Sequence, residues 1–530
     1  MAEKKSQHSE NTLSGVDLPL VVKQDLFDDG ALDPVYHAKT HVLNMAMQEI
    51  GMGRYQWALF VVSGFGWFSD SVWPLLTGLI LSPVVSEFKF KQPFLSLAAN
   101  IGLLVGAILW SFGCDIWGRR WSFNLTLFVA SIFGIASGGS ADFTTLATLT
   151  AILSVGVGGN MPVDSAVFLD FIPASHQYLL VVLSIWWAVG QLLGSLVAWP
   201  LIANFSCPLT SDGPCTRENN MGWRYLVFTL GGLMLLLAIL RIAVFRLYES
   251  PRFLIGRGQN AEAVRVVQAI AKYNRMQCSL KVEDFEEIER TVGQQESSRR
   301  WRVLSEGSTW RFEHVHALFT TPKMAWSTTL LISIWGLIGL ASTLYNNFLP
   351  FLLASRGAQF DDATYYTTYR NQVLLSVTGI PGALLAGYAV ERPYFGRRGA
   401  LALSAGEYPV SDMDDIAQRP RLTGAFLYAS TTARSSNALL GWNVGYAFFS
   451  NIMYGVLYAV SPEIFPAKDR GTGNGLTATA TRVFGVLAPI IALYANLDTA
   501  VPVYVSGALI FGAGALALLL PFEPRGKASM

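Results

Sequence analysis

The chain has 530 residues, 52% of them hydrophobic and 14% charged, with a formal net charge of +1. Average soluble domains carry about 25% charged residues, so this composition excludes a wholly water-facing surface. The near-zero net charge gives no reason to expect a nucleic-acid partner, and four cysteines exclude a disulfide-built scaffold.

The charges crowd into Met1–Arg54, Arg246–Lys323 and Asp412–Arg421 and leave long apolar runs between them. That pattern predicts an all-α membrane protein with many spans. The polar start, MAEKKSQHSE, has no apolar core of a signal peptide, and residues 1–53 read as a cytosolic tail holding at most a short amphipathic helix within Leu18–Ile50. Spans are expected at Trp57–Leu81, Phe94–Phe112, Phe123–Ser137, Leu146–Phe171, Leu179–Ala203 and Trp223–Phe245, making a six-helix bundle over residues 54–247. Each is near the roughly 20 residues a bilayer demands. The glycine-rich VGVGGNMP of the fourth should let helices approach closely. Residues 248–323 are charged and mixed, with the amphipathic AEAVRVVQAIAKYN, and predict a cytosolic linker with short helices.

Apolar runs resume at Ala325–Leu353, Val373–Val390, Ala438–Val460, Leu476–Tyr494 and Val501–Leu520, giving a second bundle over 324–523 and a short tail, 524–530. The ninth span is broken. Gly399–Ala405 and Leu422–Ala433 are each too short to cross, and GEYPVSDMDDIAQRPR lies between them. Removing residues 406–421 joins the flanks into one run of about 20 residues. The preferred reading is a retained intron, since Gly-Glu-Tyr can be encoded across a splice-donor pattern; a re-entrant loop is the alternative.

Arg119/Arg120, the linker, Arg392/Arg397/Arg398, Lys468/Arg470 and Arg525/Lys527 fall on one face, which predicts that face, and both termini, to be cytosolic. Gly118-Arg119-Arg120 after the second span is echoed by Gly396-Arg397-Arg398 after the eighth, and Glu249-Ser250-Pro251-Arg252 after the sixth by Glu523-Pro524-Arg525 after the twelfth. Repeated motifs at corresponding places mean duplicated bundles with a substrate site between them.

These motifs resemble the major facilitator superfamily over residues 55–525. Its members carry G-x-x-x-D-x-x-G-R-R turns; here Asp115, Gly118, Arg119 and Arg120 match, with Ser111 at the first glycine, and in the second copy Glu391 replaces the acid before Arg397 and Arg398. The sugar-porter and organic-ion (synaptic-vesicle-type) branch adds E-S-P-R, matched by Glu249–Arg252, and P-E-x-F-P with R-G-x-G, matched by Glu463 and Arg470 among others. The resemblance implies twelve transmembrane helices in two six-helix bundles, similar to fungal members. It also implies a cytosolic gate formed by Asp115, Gly118, Arg119, Arg120, Asp170, Glu249, Arg252, Glu391, Arg397, Arg398, Glu463 and Arg470. Basic anchoring of the membrane boundary would account for the arginines alone, but poorly for the acids.

Asp70 lies mid-span in GWFSDSVWP, where a charge costs about 3 kcal/mol on insertion scales and should face a cavity or a partner. An acid there is similar to the organic-ion branch and is the first candidate for proton coupling, with Asp164 second; a structurally paired acid is the alternative. Asn160, Gln191, Asn346, Asn347, Asn443, Asn451 and Tyr454 are candidates for lining a substrate cavity, although asparagine in a span often serves as interhelical glue. Arg482, inside the eleventh span, should be paired or reach toward the cytosol. Cys207 and Cys215 share an exofacial loop and are disulfide candidates, and Asn204-Phe205-Ser206 is a glycosylation sequon close to a span end.

There is no P-loop, HExxH or CxxC, and six scattered histidines give no metal cluster, so neither enzyme nor cofactor is expected. The expectation is a monomeric secondary transporter in the lipid bilayer, moving a small organic solute with protons by alternating access. The plasma membrane is the first choice, with vacuolar or other endomembranes open. The fifth span, LGSLVAWPLIANF, lacks the G-P-x-x-G-G of drug/proton antiporters, which leans toward symport. Export of a secondary metabolite or toxin is the alternative, and a non-transporting nutrient sensor a third.

Overall fold

The computed structural model describes residues 34–207, 215–300, 315–316, 318–346, 349, 364–390, 396–405, 423–465, 470–494 and 501–521. The described residues form helices and connecting turns, with no strand among them. Eleven helices are long and apolar enough to cross a membrane. With the broken ninth span they make the twelve spans of a major facilitator fold.

The first six spans are Arg54–Leu79, Pro93–Ile116, Arg119–Gly138, the pair Phe143–Gly158 and Asn160–Phe171, the pair Leu179–Val182 and Ser184–Phe205, and Gly222–Ala243. The break in the fourth falls at Gly159, inside the glycine run. Gly156 lies against the backbone of the third span at Thr126 and Ala130, and Gly158 against that of the second at Leu103 and Ala107, so the small residues do bring the helices close. Starts are set locally. Pro93 occupies a first turn, where its missing N–H is no loss. Asp142 caps the fourth span by accepting from the backbone of Thr145, and Ser435 caps the tenth by accepting from Ala438. The first span ends at Leu79, earlier than its apolar run implies. The chain turns at Ile80 into a short helix, Leu81–Phe88, whose Glu87 is gripped by Asn220, Trp223 and Arg224. Burial raises the Glu87 carboxyl, but the hydrogen bonds from Arg224, Trp223 and Asn220 outweigh it and hold the group below its ordinary range.

The second set is Pro322–Asn346, Tyr365–Val390, the ninth span, Ser436–Ile464, Arg470–Tyr494 and Val501–Leu518. The two bundles meet where the second span packs on the eleventh and the fifth on the eighth. The second and eighth spans correspond in the repeat, as do the fifth and eleventh, so one contact is the symmetry mate of the other.

Part of the expected N-terminal tail is built into the structure. Pro34–Ile50 is a helix that buries Leu43, Ala46, Met47 and Ile50, one face at helical spacing. It docks on the linker helices Pro251–Gly256, Asn260–Asn274 and Val282–Arg300. Lys39 meets Glu289 and donates to Asn260 (3.2 Å), Arg252 donates to Asn44 (2.7 Å), and Ser279 donates to Glu49 (2.7 Å).

The ninth span consists of Gly396–Ala405 and Thr423–Ser430, of 10 and 8 residues. At 1.5 Å per residue they total about 27 Å, close to the hydrocarbon thickness. Both pieces pack on the tenth and twelfth spans. The hydroxyl of Thr423 donates to the carbonyl of Ser404. Were Leu422 joined to Ala405, Thr423 would stand three residues after Ser404, and this would be the ordinary back-bond that Ser404 makes to Leu401 and Ser430 to Leu427. The two pieces are thus held in near-helical register. Residues 406–422 lie outside the described residues. Deleting residues 406–421 is therefore expected to leave a monodisperse protein in detergent with an unfolding temperature at least equal to that of the full chain. A deletion variant that aggregates would show that the insertion belongs to the span.

Candidate functional site

Between the bundles lies a cavity of about 1100 Å³, counting its opening. Its walls come from both halves: Asp70 of the first span and Trp187 and Gln191 of the fifth, facing Asn346, Gln372, Asn443, Asn451, Tyr454 and Arg482. A narrower space continues toward the linker face between Met161, Ser165, Trp335, Ser461 and Asn474. Tyr458 and Arg482 line both spaces and stand between them.

The two charged groups of the cavity wall hold each other. Arg482 donates to Asp70 at 3.1 Å, and the two belong to different bundles. The Asp70 side chain is 6% exposed and that of Arg482 17%, so the bridge is nearly dry. In such surroundings an ion pair persists only if both partners stay, since a lone buried charge is far costlier than the pair. Aromatic rings flank it. Trp187 lies 5.5 Å from Tyr454, and Tyr458 packs edge-on against Trp67 of the first span (5.2 Å) and Trp335 of the seventh (4.5 Å). That trio joins the bundles on the linker side of Asp70. On the opposite side, Tyr369 of the eighth span donates to the carbonyl of Leu79, and Tyr365 and Ser82 share a hydrogen bond of 3.3 Å. The bundles therefore touch on both sides of the cavity.

Most of the polar residues singled out from the sequence converge on this wall: Gln191, Asn346, Asn443, Asn451 and Tyr454. Tyr446 donates to Asn346 (3.3 Å) and Tyr345 donates to Asn443. Asn347 lies outside the described residues. Asn160 does not reach the cavity wall; it is fully buried at the start of the second half of the fourth span. Asp164 is also away from it. Its carboxylate pairs with Arg241 of the sixth span, both fully buried, and the guanidinium lies over the Phe123 ring at 3.2 Å. Asp164 presses on the first span at Gly66, where a Cβ would overlap the carboxylate. Gly66 is four residues before Asp70, so the two acids sit about one helical turn apart along that span.

The linker face carries a second charge cluster. Asp170, at the end of the fourth span, pairs with Arg119 and lies 3.9 Å from Arg252. Glu249 accepts from the backbone N–H groups of Arg119 (2.9 Å) and Arg120 (3.4 Å), placing a carboxylate on the start of the third span, where the helix dipole favours it. Gly118 allows this fit: its φ is +98°, and a Cβ would sit 2.7 Å from a Glu249 oxygen. Burial, with Arg119 nearby, pulls Arg252 down to about 10. Glu463 is buried near the end of the tenth span. The side chains of Asp115, Arg397, Arg398 and Arg470, and the whole of Glu391, lie outside the described residues.

A family described as "Sugar (and other) transporter" matches residues 87–521. The chain belongs to this major facilitator family. It is 66% identical over 508 residues to "MFS siderochrome iron transporter 1" of Ceriporiopsis subvermispora, covering 96% of this chain and 94% of that one. It is 46% identical over 526 residues to an uncharacterized MFS-type transporter of Schizosaccharomyces pombe, covering 95% and 92%. Among solved structures, the proton:xylose symporter XylE bound to 6-bromo-6-deoxy-D-glucose aligns with a TM-score of 0.66 at 17% identity, covering 90% of this chain and 98% of that one. That last likeness shows the fold.

This transporter is thus a multi-pass membrane protein and not an enzyme. On the face opposite the linker, Cys207 and Cys215 form a disulfide. Asn204 sits on the fifth span and donates to the carbonyl of Pro200, so its sequon is still helical at the asparagine. Sequence reasoning passed over Arg241, a lone arginine in an apolar run. The signal was available: Asp164 in the same bundle needs an opposite charge. Trp187 also lines the cavity without having stood among the polar candidates. Replacing Arg241 by leucine is expected to cost about 3–5 kcal/mol by stranding Asp164, read as a lowered unfolding temperature in detergent. Adding Asp164→Leu should recover most of it; a single variant as stable as the parent would contradict the pairing.

Proposed function

We propose that this transporter moves a small organic solute by alternating access, coupled to protons through Asp70. The observation that carries the reading is the Asp70–Arg482 bridge, which spans the bundles at the cavity wall. Any rocking that opens the cavity to one side must strain or break it. Protonating Asp70 removes the charge that holds Arg482, and a bound solute replaces the lost contacts. Asp164 differs. Arg241 neutralises it within its own bundle, so its pair need not break when the bundles move. Coupling is therefore assigned to Asp70, with Asp164 a fixed countercharge.

Asp170, Arg119, Arg252 and Glu249, with Gly118 and Arg120, are proposed as the first-half part of a cytosolic gate; Asp115, Glu391, Arg397, Arg398, Glu463 and Arg470 would supply the rest. The linker face would be cytosolic, with both termini, and the disulfide face exofacial, where oxidising conditions favour the bond. Symport into the cell is the proposed direction, across the plasma membrane, by a monomer. The fungal relative named as a siderochrome iron transporter offers a second reading, an iron-bearing cargo.

The test is accumulation in proteoliposomes under an imposed pH gradient, across radiolabelled sugars, carboxylates, amines and an iron siderochrome. Wild type should concentrate one of these. Asp70→Asn should lose that accumulation yet still exchange labelled for unlabelled solute. Equal gradient-driven accumulation in the two proteins would remove Asp70 from coupling.

A further inference from the structure

Arg482 and Asp70 are the one cation and the one anion among the described residues of the cavity wall. A guanidinium has five N–H donors in a planar fork suited to a carboxylate. The one hydrogen bond that Arg482 makes among the described residues is to Asp70. Its side chain is also the more exposed of the two, 17% against 6%, and it lines the spaces on both sides. Rings line the same cavity: Trp187 from the fifth span and Tyr446, Tyr454 and Tyr458 from the tenth. The rings of Tyr454 and Tyr458 are inclined by 27°, with centroids 6.2 Å apart.

We propose that the solute is a small aromatic monocarboxylate, bound by its carboxylate to the Arg482 guanidinium once a proton has neutralised Asp70, with its ring against the cavity's tryptophan and tyrosines. This rests on the alternating-access reading and supplies the substrate class for the same site.

The charge count makes the coupling strict. With Asp70 ionised and the cavity empty, the pair is neutral. With Asp70 protonated and a carboxylate on Arg482, the site is neutral again. A proton alone strands a cation, and a carboxylate alone sets two anions on one guanidinium. Both half-loaded states place net charge at membrane depth, where it is costly, so proton and anion enter together. A neutral sugar offers Arg482 no charge to replace Asp70, and an organic cation would compete with Arg482 for Asp70. The groups facing Asp70 do not disturb this count. Arg482 comes from the eleventh span and the neutral Tyr454 and Tyr458 from the tenth; Asp164, across the first span, is already matched by Arg241.

The experiment uses the full chain in detergent, with radiolabelled benzoate as probe and benzamide and D-xylose as uncharged controls. Equilibrium dialysis at about pH 5 and about pH 7.5 should show benzoate bound on the order of tenfold more tightly at the lower pH, following proton uptake by Asp70. Benzamide should bind at least tenfold more weakly, since it lacks the charge that Arg482 reads. Asp70→Asn should bind benzoate with the pH dependence gone. Arg482→Gln should lose binding, while Arg482→Lys retains a weaker part of it and shows that the site still folds. Benzamide or xylose binding as tightly as benzoate, pH-independent binding by wild type, undiminished binding by Arg482→Gln, or no benzoate binding would each overturn the proposal. Failure here with gradient-driven accumulation of another solute leaves the transport reading standing. Benzoate that binds as described but is never accumulated sinks the transport reading instead.

Discussion

Asp70 and Arg482 sit on the first and eleventh spans, so the bond between them is also a bond between bundles. Neither charge tolerates solitude at membrane depth, and each is therefore obliged to find the other or a substitute. The rest of the cavity is arranged around that obligation. Tyr458 and its two tryptophan neighbours lie on the linker side, Tyr365 and Tyr369 on the disulfide side, and the amide side chains fill the wall between. The bundles thus touch on both sides of the buried pair.

The second buried pair shows by contrast what makes the first distinctive. Asp164 and Arg241 are no less buried, and they lie about a helical turn away along the first span. Both belong to the N-terminal bundle, with Phe123 beneath the guanidinium and Gly66 cut back to receive the carboxylate. That pair lies within one bundle, whereas the cavity pair bridges two. The two acids are alike in chemistry and burial and differ in where the partner is placed. On the linker face the same logic recurs at lower cost. Glu249 and Asp170 gather Arg119, Arg120 and Arg252 at helix ends, beside the docked helix Pro34–Ile50.

Much of this was legible in the sequence, because hydropathy and repeated motifs are local signals. The spans, the two bundles, the exceptional position of Asp70 and most of the cavity amides follow from runs of apolar residues and the polar residues that interrupt them. What was not legible is partnership. Arg482 stands more than four hundred residues from Asp70 in the chain, and only the packing of one bundle on the other brings it near. For the same reason the pairing of Asp164 with Arg241 could not be read from the sequence. A short amphipathic helix within Leu18–Ile50 was legible, but its docking as Pro34–Ile50 was not, because the surface that covers its apolar face comes from the distant linker. The ninth span is the opposite case: the apolar flanks were readable as one span, and the bond from Thr423 to Ser404 puts their ends in register.

The claim on which the account turns is that neutralising Asp70 frees the bundles to move apart. It is tested most directly by the distance between spin labels on cysteines introduced at Lys91 and Tyr366, which stand on the disulfide face of opposite bundles, with Cys114 and Cys278 replaced by serine. The account predicts a single short distance near neutral pH in wild type, and a second, longer population in Asp70→Asn and in wild type under acid conditions. Distance distributions that are identical in the two proteins at every pH would contradict it.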